Sequence, residues 1–288
     1  MRGKEFLNSR AKGDSLEDEL RGDEAEGDYA YRKIEKRRFK RVKDENLLKT
    51  VEEVFDKSTL LAVYDLLNRG VIRSVSGVVD AGKESRVYAA EDASGKSVAL
   101  KIYLTSSSEF RKGISQYIDG DERFRRVKRD TRQLIYQWTK KEFRNLSEAQ
   151  AVGVRVPKPY VSVANVLAME FIGEAGERDP LLRESLPTDP EQFLVHVLDF
   201  VKILYSKANL IHADLSEYNI MVQNESPVFI DLAQGVLSSH PLADVFLKRD
   251  IKNTLHFFSK GAGIKIPNSE EVYAWVKGEK PSFRYAST

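Results

Sequence analysis

The stretch Ile211-His212-Ala213-Asp214-Leu215-Ser216-Glu217-Tyr218-Asn219-Ile220-Met221 decides how this chain is read. It sets an Asp and an Asn five residues apart, on a loop predicted between a helix and a strand. Twelve residues after Asn219, the apolar run Val228-Phe229-Ile230 ends in Asp231. Phosphoryl transfer needs these parts. One carboxylate accepts or orients the nucleophile's proton, while an amide oxygen and a second carboxylate hold the magnesium that bridges the phosphates. Asp214, Asn219 and Asp231 match those roles in type, order and spacing. A capped turn would explain any one of them alone. It does not explain the three together with their flanking strands.

Upstream, Val98-Ala99-Leu100-Lys101-Ile102 places a lysine inside an apolar strand. Its ammonium is costly there unless it meets an anion. The kinase pattern V-A-I-K puts such a lysine on the third strand, reaching nucleotide phosphates and a helix glutamate. Glu142, in Lys141-Glu142-Phe143-Arg144-Asn145-Leu146, is the chosen partner, with Glu148 on the same helix as the alternative. Gly82-Lys83-Glu84-Ser85-Arg86-Val87 lies between two strands, where backbone N–H groups and the Ser85 hydroxyl can contact phosphate. By itself this is an ordinary hairpin turn. Met169-Glu170-Phe171-Ile172 ends the sheet-rich half, where a two-lobed kinase has its hinge.

Working outward, Asp44 is a plausible N-cap for a helix through Leu47, Leu48, Val51, Val54 and Phe55. Ser58 or Thr59 caps a second helix through Leu67, stopped at Gly70. Val75–Val79, Arg86–Ala90 and Ser97–Leu104 read as strands. A polar stretch, expected to be mobile, runs from Thr105 to Arg132. Leu134–Gln150 reads as a helix, and Pro157–Val163 with Val166–Ile172 as a hairpin. Gly173–Pro190 is a connector. Phe193–Tyr205 forms an amphipathic helix, Ile220–Val222 and Val228–Ile230 are short strands, and helices near Leu242–Ser259 and Glu270–Val276 follow. The expected fold is α+β: a two-lobed, protein-kinase-like architecture with a sheet-rich N-lobe, a helical C-lobe and no activation segment. Its expected divisions are a charged tail over residues 1–43, N-terminal helices plus N-lobe over 44–172, and a C-lobe over 173–288.

Composition bounds the chemistry. The chain has 288 residues, 41% hydrophobic, enough for a sizeable core. Charged residues reach 31%, yet 46 bases against 44 acids leave only +2. That near-neutrality hides blocks: eight acids and one base from Asp14 to Asp28, then eight bases and one acid from Arg32 to Lys43. One reading of this tail is solvation; the sharper one is a basic block that binds nucleic acid, screened by the acidic one. The absence of Cys removes disulfides, thiolate zinc and a cysteine nucleophile. No apolar run reaches transmembrane length, and Met1-Arg2-Gly3-Lys4-Glu5-Phe6 lacks a signal peptide's apolar stretch, so a cytoplasmic protein without membrane contact is expected. Lys/Glu/Arg richness without Cys suits a thermophile.

These motifs, in this order across residues 60 to 260, resemble the RIO-type atypical serine protein kinases. His212-Ala213-Asp214-Leu215-Ser216-Glu217-Tyr218-Asn219 carries the resemblance most specifically. Val54-Phe55-Asp56-Lys57-Ser58-Thr59-Leu60 is similar to the helical lead-in of the type-one branch, and the winged-helix domain of the type-two branch has no sign here; the match points to an archaeal source. The resemblance implies ATP and Mg2+ as cofactors, with Mn2+ as a substitute. It implies Asp214 as proton acceptor, Asn219 and Asp231 as magnesium ligands, and Lys101 as the phosphate-binding lysine. Gly82, Lys83, Glu84, Ser85, Val87 and Glu142 would surround ATP, and Glu170 and Ile172 would offer backbone groups to adenine. It further implies work on the pre-small-ribosomal-subunit particle, as kinase, ATPase or both, with a phosphoaspartate on Asp231. Ribosomal RNA contact would run through Arg32–Lys43 and Arg123–Arg132; oligomeric state stays open.

Departures from ordinary protein kinases matter. His212-Ala213-Asp214 stands for H-R-D, so no arginine reads a phosphorylated activation loop. Asp231-Leu232-Ala233 stands for D-F-G, with a helix beginning near Pro241 and no A-P-E. This leaves room for ATPase function and for autophosphorylation at Ser106, Ser107, Ser108, Ser115 or Thr131. Two rivals remain: an aminoglycoside-kinase-like small-molecule phosphotransferase, and a non-catalytic nucleotide-binding switch.

Overall fold

In the computed structural model, residues 55–105, 110–125, 130–174 and 176–283 are described. The expected tail over 1–43 and the helix expected from Asp44 through Phe55 lie outside them, except for Phe55, which is a bend ahead of the first described helix.

Helix α1 (Lys57–Asn68) begins at Asp56, whose Oδ1 accepts the Thr59 N–H at 2.7 Å. The cap is therefore Asp56 and not Ser58 or Thr59: the earlier residue already satisfies the first free N–H. Strands β1 (Ser74–Ala81), β2 (Ser85–Glu91) and β3 (Ser97–Tyr103) follow, then helix α2 (Phe110–Ile118) and a short 3-10 turn at Glu122–Phe124. Helix α3 (Thr131–Ala151) leads to β4 (Pro159–Val163) and β5 (Val166–Glu170). The five strands form one antiparallel sheet in the order β1-β2-β3-β5-β4.

Strand β3 lies in the middle of that sheet and is buried on both faces from Val98 onward. Its period of two sorts the side chains. Val98, Leu100 and Ile102 join Ala62, Val63 and Leu66 of α1 in one apolar cluster. Ala99 and Tyr103 join the larger core that continues into the C-lobe. Lys101 shares the face of Ala99 and Tyr103, so the alternation itself turns the lysine toward the cleft.

The stretch expected to be polar and mobile contains α2 and the 3-10 turn. Ile114, Tyr117 and Phe124 within it are buried. Tyr117 stacks on Phe246 at 5.2 Å and Phe124 tilts against Trp138 at 6.4 Å. Sparse apolar residues at helical spacing thus anchor a mostly polar segment. Of the autophosphorylation candidates, Ser106, Ser107 and Ser108 lie outside the described residues, Ser115 is half-buried in α2, and Thr131 opens α3. The connector Gly173–Pro190 also holds a small hairpin, β6 (Gly173–Glu174) with β7 (Glu177–Arg178).

The C-lobe is built on helix α4 (Pro190–Ala208). Asp189 caps it through the Gln192 N–H at 2.9 Å, and Pro190 opens it, where its missing N–H costs nothing. Phe193, Leu194, Val197, Leu198, Val201 and Leu204 form its buried stripe, and Asn209 ends it in the left-handed region at φ 51°. Then β8 (Leu210–Ile211) leads into the Asp/Asn loop, and β9 (Ile220–Gln223) pairs with β10 (Ser226–Phe229) through a turn with Asn224 and Glu225 at φ 48° and 59°. Strand β11 (Val236–Leu237) returns to β8. Helices α5 (Ala243–Lys260) and α6 (Ser269–Val276) complete the lobe. Helix α5 starts at Ala243, two residues later than the expected Pro241, which leaves eleven residues between Asp231 and the helix. Among the described residues no helix is long and apolar enough to cross a membrane.

Candidate active site

Lys101 reaches from β3 between two carboxylates, with its Nζ 2.8 Å from Glu142 Oε1 and 2.7 Å from Asp231 Oδ1. The lysine and Glu142 side chains are 5% and 1% exposed, while Asp231 keeps 42% of its side-chain surface open. Asp231 is therefore the carboxylate of this trio that a ligand can meet. Burial alone works against the Lys101 ammonium, but Asp231 and Glu142 outweigh it and its pKa lies above the usual lysine range. Desolvation likewise works against the Asp231 charge, and Lys101 outweighs it to hold that pKa below the usual range. Glu142, and not Glu148, is the partner of Lys101 on α3. Its second oxygen accepts the hydroxyl of Tyr103, so both carboxylate oxygens are used.

Asn219 donates through Nδ2 to the Asp214 backbone oxygen at 2.8 Å and to its Oδ2 at 3.1 Å. The amide nitrogen is thereby committed to Asp214, which leaves the amide oxygen as an acceptor. Burial and then the charge of Asp231 push the Asp214 carboxyl up to about 6. A carboxylate with that affinity for protons is ionised at neutral pH and still basic enough to take a hydroxyl proton. His212 is buried, and burial pushes its pKa down to about 4. The neutral ring lies with Nε2 3.0 Å from the Ile230 carbonyl, tying the Asp214 loop to the strand that carries Asp231.

Two non-glycine residues of the site have left-handed backbones, Ala213 at φ 63° and Asp231 at φ 58°. Such positions cost about 1–3 kcal/mol each and persist where the surroundings over-determine them. For Ala213 the surroundings are Asp250 and Arg249 of α5. Buried Asp250 accepts the N–H groups of Ala213 at 2.7 Å and Leu215 at 3.0 Å, and the Arg249 guanidinium donates to the Ala213 carbonyl. Burial pushes Asp250 up to about 7, although both N–H bonds pull the other way. Sequence reasoning missed Asp250, Arg249 and Tyr103, because each acts across more than 35 residues; Tyr103 ends the strand that carries Lys101, but nothing local shows its hydroxyl turning to Glu142.

A cavity of about 160 Å³ lies between the lobes. Val87, Ala99, Met169 and Met221 give it apolar walls; Lys101, Asn219 and Asp231 give it a polar end. This division suits a planar base with phosphates beyond it. At the hinge, Glu170 donates its own N–H to the Lys158 carbonyl at 2.8 Å, and its carboxylate binds Arg155 at 2.7 and 3.0 Å. The Ile172 carbonyl takes the Asp179 N–H at 3.0 Å, so the group this residue has to offer a ligand is its N–H. In the loop between β1 and β2, the Gly82 N–H bonds the Ser85 carbonyl at 2.9 Å, and Lys83 is exposed. The Glu84 carboxyl is half-buried and its pKa is raised, by burial first and then by Asp231, which places it toward the polar end.

The donor set fits a hard divalent cation. Asn219 and Asp231 supply oxygen, and among the described residues no group of three or more His, Cys, Asp or Glu side chains is arranged around a metal. Such a cation would complete its shell with phosphate and water, as Mg2+ does.

The RNA reading of Arg123 is corrected. Its guanidinium is turned inward, bound to Asp121 at 2.7 Å and to Asn145 Oδ1 at 2.7 Å, with 13% of the side chain exposed. Residues 126–129 of that block, and all of Arg32–Lys43, lie outside the described residues.

The family profile of the RIO domain matches residues 86–271. The chain is 38% identical over 241 residues to the RIO-type serine/threonine-protein kinase Rio1 of Haloferax volcanii, covering 83% of this chain and 81% of that one. It is 39% identical over 235 residues to Rio1 of Methanocaldococcus jannaschii, covering 81% and 79%. Human serine/threonine-protein kinase RIO1 is 34% identical over 240 residues, and the match spans 42% of its length. In fold, the chain is similar to the crystal structure of the Rio2 kinase-ADP/Mg2+-phosphoaspartate complex from Chaetomium thermophilum, at TM-score 0.59 and 24% identity. That match covers 75% of this chain and 65% of the other.

Proposed function

This chain belongs to the RIO family and is a kinase, and from that premise we propose a type-one, archaeal member: an ATP- and Mg2+-dependent serine/threonine kinase and ATPase. The observation that carries this reading is the convergence of Lys101, Glu142 and Asp231 at one end of an apolar cleft, with Asp214 and Asn219 paired on the adjoining loop.

Adenine lies in the apolar part of the cleft and takes backbone groups of Glu170 and Ile172. Lys101 meets the phosphates, its orientation fixed by Glu142. Gly82, Ser85 and Glu84 line the phosphate side from the loop, with Val87 on the wall. Asn219 and Asp231 would hold magnesium, which would supply charge neutralisation for the phosphates, with Mn2+ as a substitute. Asp214 takes the proton of a Ser or Thr hydroxyl. The hydroxyl oxygen then bonds to the γ-phosphorus as the bond to the β–γ bridging oxygen breaks, and ADP leaves.

A second route is favoured by the exposed Asp231 carboxylate and by the short run to α5, which offers a peptide little to dock on. An Asp231 oxygen attacks the γ-phosphorus, ADP leaves, and water hydrolyses the acyl phosphate to phosphate and free carboxylate. A phosphoaspartate is named for the Chaetomium thermophilum Rio2 structure, which supports this route. Autophosphorylation falls on Ser106–Ser108, with Ser115 and Thr131 disfavoured by their place in helices. The partner is the pre-small-ribosomal-subunit particle, met through Arg32–Lys43, in the cytoplasm.

The test is incubation with labelled ATP, with and without pre-ribosomal particles, followed by mapping of the label. Label on Ser and in free phosphate, lost in Asp214→Ala, and label on Asp231, lost in Asp231→Asn, are expected. Nucleotide binding without turnover would make the chain a switch, and rapid labelling of amino sugars would make it a small-molecule phosphotransferase.

A further inference from the structure

Asp231 has the left-handed backbone already described, so something must hold the residues that follow it. The carbonyls of Leu232 and Gly235 both accept from Nδ2 of Asn145, at 2.7 and 3.1 Å. Asn145 is fully buried on α3, three residues after Glu142, so one face of this helix carries both side chains. Its Oδ1 accepts Arg123 Nη1 at 2.7 Å, and Arg123 Nη2 reaches the Gly235 carbonyl at 3.4 Å. The guanidinium is itself gripped by Asp121, through Nε at 2.9 Å and Nη2 at 2.7 Å. Gly235 has no room to spare: a Cβ there would come within 2.9 Å of Asn145 Nδ2 and 3.0 Å of the Leu232 carbonyl.

We propose that Arg123 and Asn145 are positioning residues that fix the backbone of residues 231–235 and so aim the Asp231 carboxylate. The side-chain amide of Asn145 is suited to this, since it donates to two carbonyls while accepting from Arg123. Arg123 comes from the segment between β3 and α3, whose Ile114, Tyr117 and Phe124 are packed into the core. That segment is thereby a structural part of the phosphate and cation end of the cleft. Neither residue touches nucleotide or cation. The inference rests on the reading of Asp231 as a cation ligand.

The two roles separate in binding measurements on the full chain. Affinity for ADP without metal depends on the cleft and Lys101. Its enhancement by Mg2+ depends on where Asp231 points. Calorimetric titration of ADP in EDTA, and across a Mg2+ series, is compared for the wild type, Arg123→Gln, Arg123→Lys and Asp121→Asn. Arg123→Gln is expected to raise the half-saturating Mg2+ about tenfold, equivalent to about 1.4 kcal/mol, with metal-free ADP affinity within about twofold of wild type. Arg123→Lys should fall between, and Asp121→Asn, which keeps the guanidinium but frees it, should shift in the same direction even if Arg123→Gln does not fold. An unchanged Mg2+ dependence, or equal losses with and without metal, overturns the proposal. A wild type whose ADP affinity ignores Mg2+ removes the cation reading of Asp231, and the proposal with it.

Discussion

Asp250 lies against the backbone of Ala213, its Oδ2 accepting that N–H at 2.7 Å from a position 37 residues further along the chain. The other oxygen holds Leu215, so the residues on both sides of Asp214 hang from one buried carboxylate. Asp250→Ala leaves two buried N–H groups without acceptors, at about 1–3 kcal/mol each. The expected result is a fall in kcat of about 100-fold or more, because Asp214, the proposed proton acceptor, loses its fixed place. KM for ATP should change little, since Asp250 does not line the cleft. Steady-state kinetics at several ATP concentrations check the split, and Asp250→Asn, which keeps one acceptor, should lie between.

Removing Lys101 does more than remove the proposed phosphate contact. In Lys101→Met the buried Glu142 loses its cation and faces Asp231 uncompensated. Breaking a buried pair from one side costs about 3–5 kcal/mol, so this variant should lose stability as well as ATP turnover. Glu142→Gln leaves one amide oxygen to accept from Lys101, while its amide nitrogen can only donate to the Tyr103 oxygen, so it should cost less stability while still lowering turnover. Urea unfolding and phosphate release, run on both variants, test the order.

The pH dependence of turnover should follow Asp214. With its carboxyl at about 6, activity is expected to fall about tenfold per pH unit below that value, as the acceptor takes up a proton. Stability runs the other way. The native state binds this proton more tightly than the unfolded chain, whose aspartate titrates near 3.8, so the native state holds more protons between pH 3.8 and 6. Its contribution therefore makes the protein less stable as pH rises through that window. Asp214→Asn should abolish turnover and add roughly 1–2 kcal/mol at pH 7, after allowance for solvent screening. A turnover profile that stays flat from pH 7 to 5 would contradict the assignment.

How far the sequence carries depends on where each residue's partner lies. Lys101 was legible because a cation inside an apolar strand demands an anion, and β3 alternation places it on the cleft face. Asp214, Asn219 and Asp231 were legible because the loop and its strands are contiguous in sequence. The sheet was legible from its period of two. Asp250, Asn145 and Arg123 were not: an aspartate inside an amphipathic helix, an asparagine inside another and an arginine in a basic run all have ordinary solvent-facing explanations. Their meaning comes only from carbonyls and N–H groups that the chain brings back from 35 to 112 residues away. The segment around α2 was misjudged for a related reason. Its few apolar residues are outnumbered by polar ones, and three of them suffice to anchor it.

Lys141 gives the sharpest stability prediction. It neighbours Glu142 on α3 but points elsewhere, with its Nζ 4.4 Å from the Trp138 ring centre and 6.0 Å from that of Tyr117. It is 2% exposed, and among the described residues its amine has no hydrogen-bond partner. Burial, and then the charge of Arg123, push its pKa down to about 7, against the pull of Asp121 and Glu142; His240, also buried, faces the same groups from the turn before α5. In the unfolded chain this lysine titrates near 10.5, so between pH 7 and 10.5 the unfolded state holds the extra proton. Stability from this site therefore rises with pH across that window and is lowest at and below pH 7. Lys141→Met keeps the volume over Trp138 without the charge. It should raise the melting temperature at pH 7, by about 2–4 °C for each kcal/mol recovered in a chain of this size. The gain over wild type should shrink as pH increases toward 10. Melting curves for both proteins from pH 6 to 10 measure that difference, and a constant offset between them would show that Lys141 carries no buried titration.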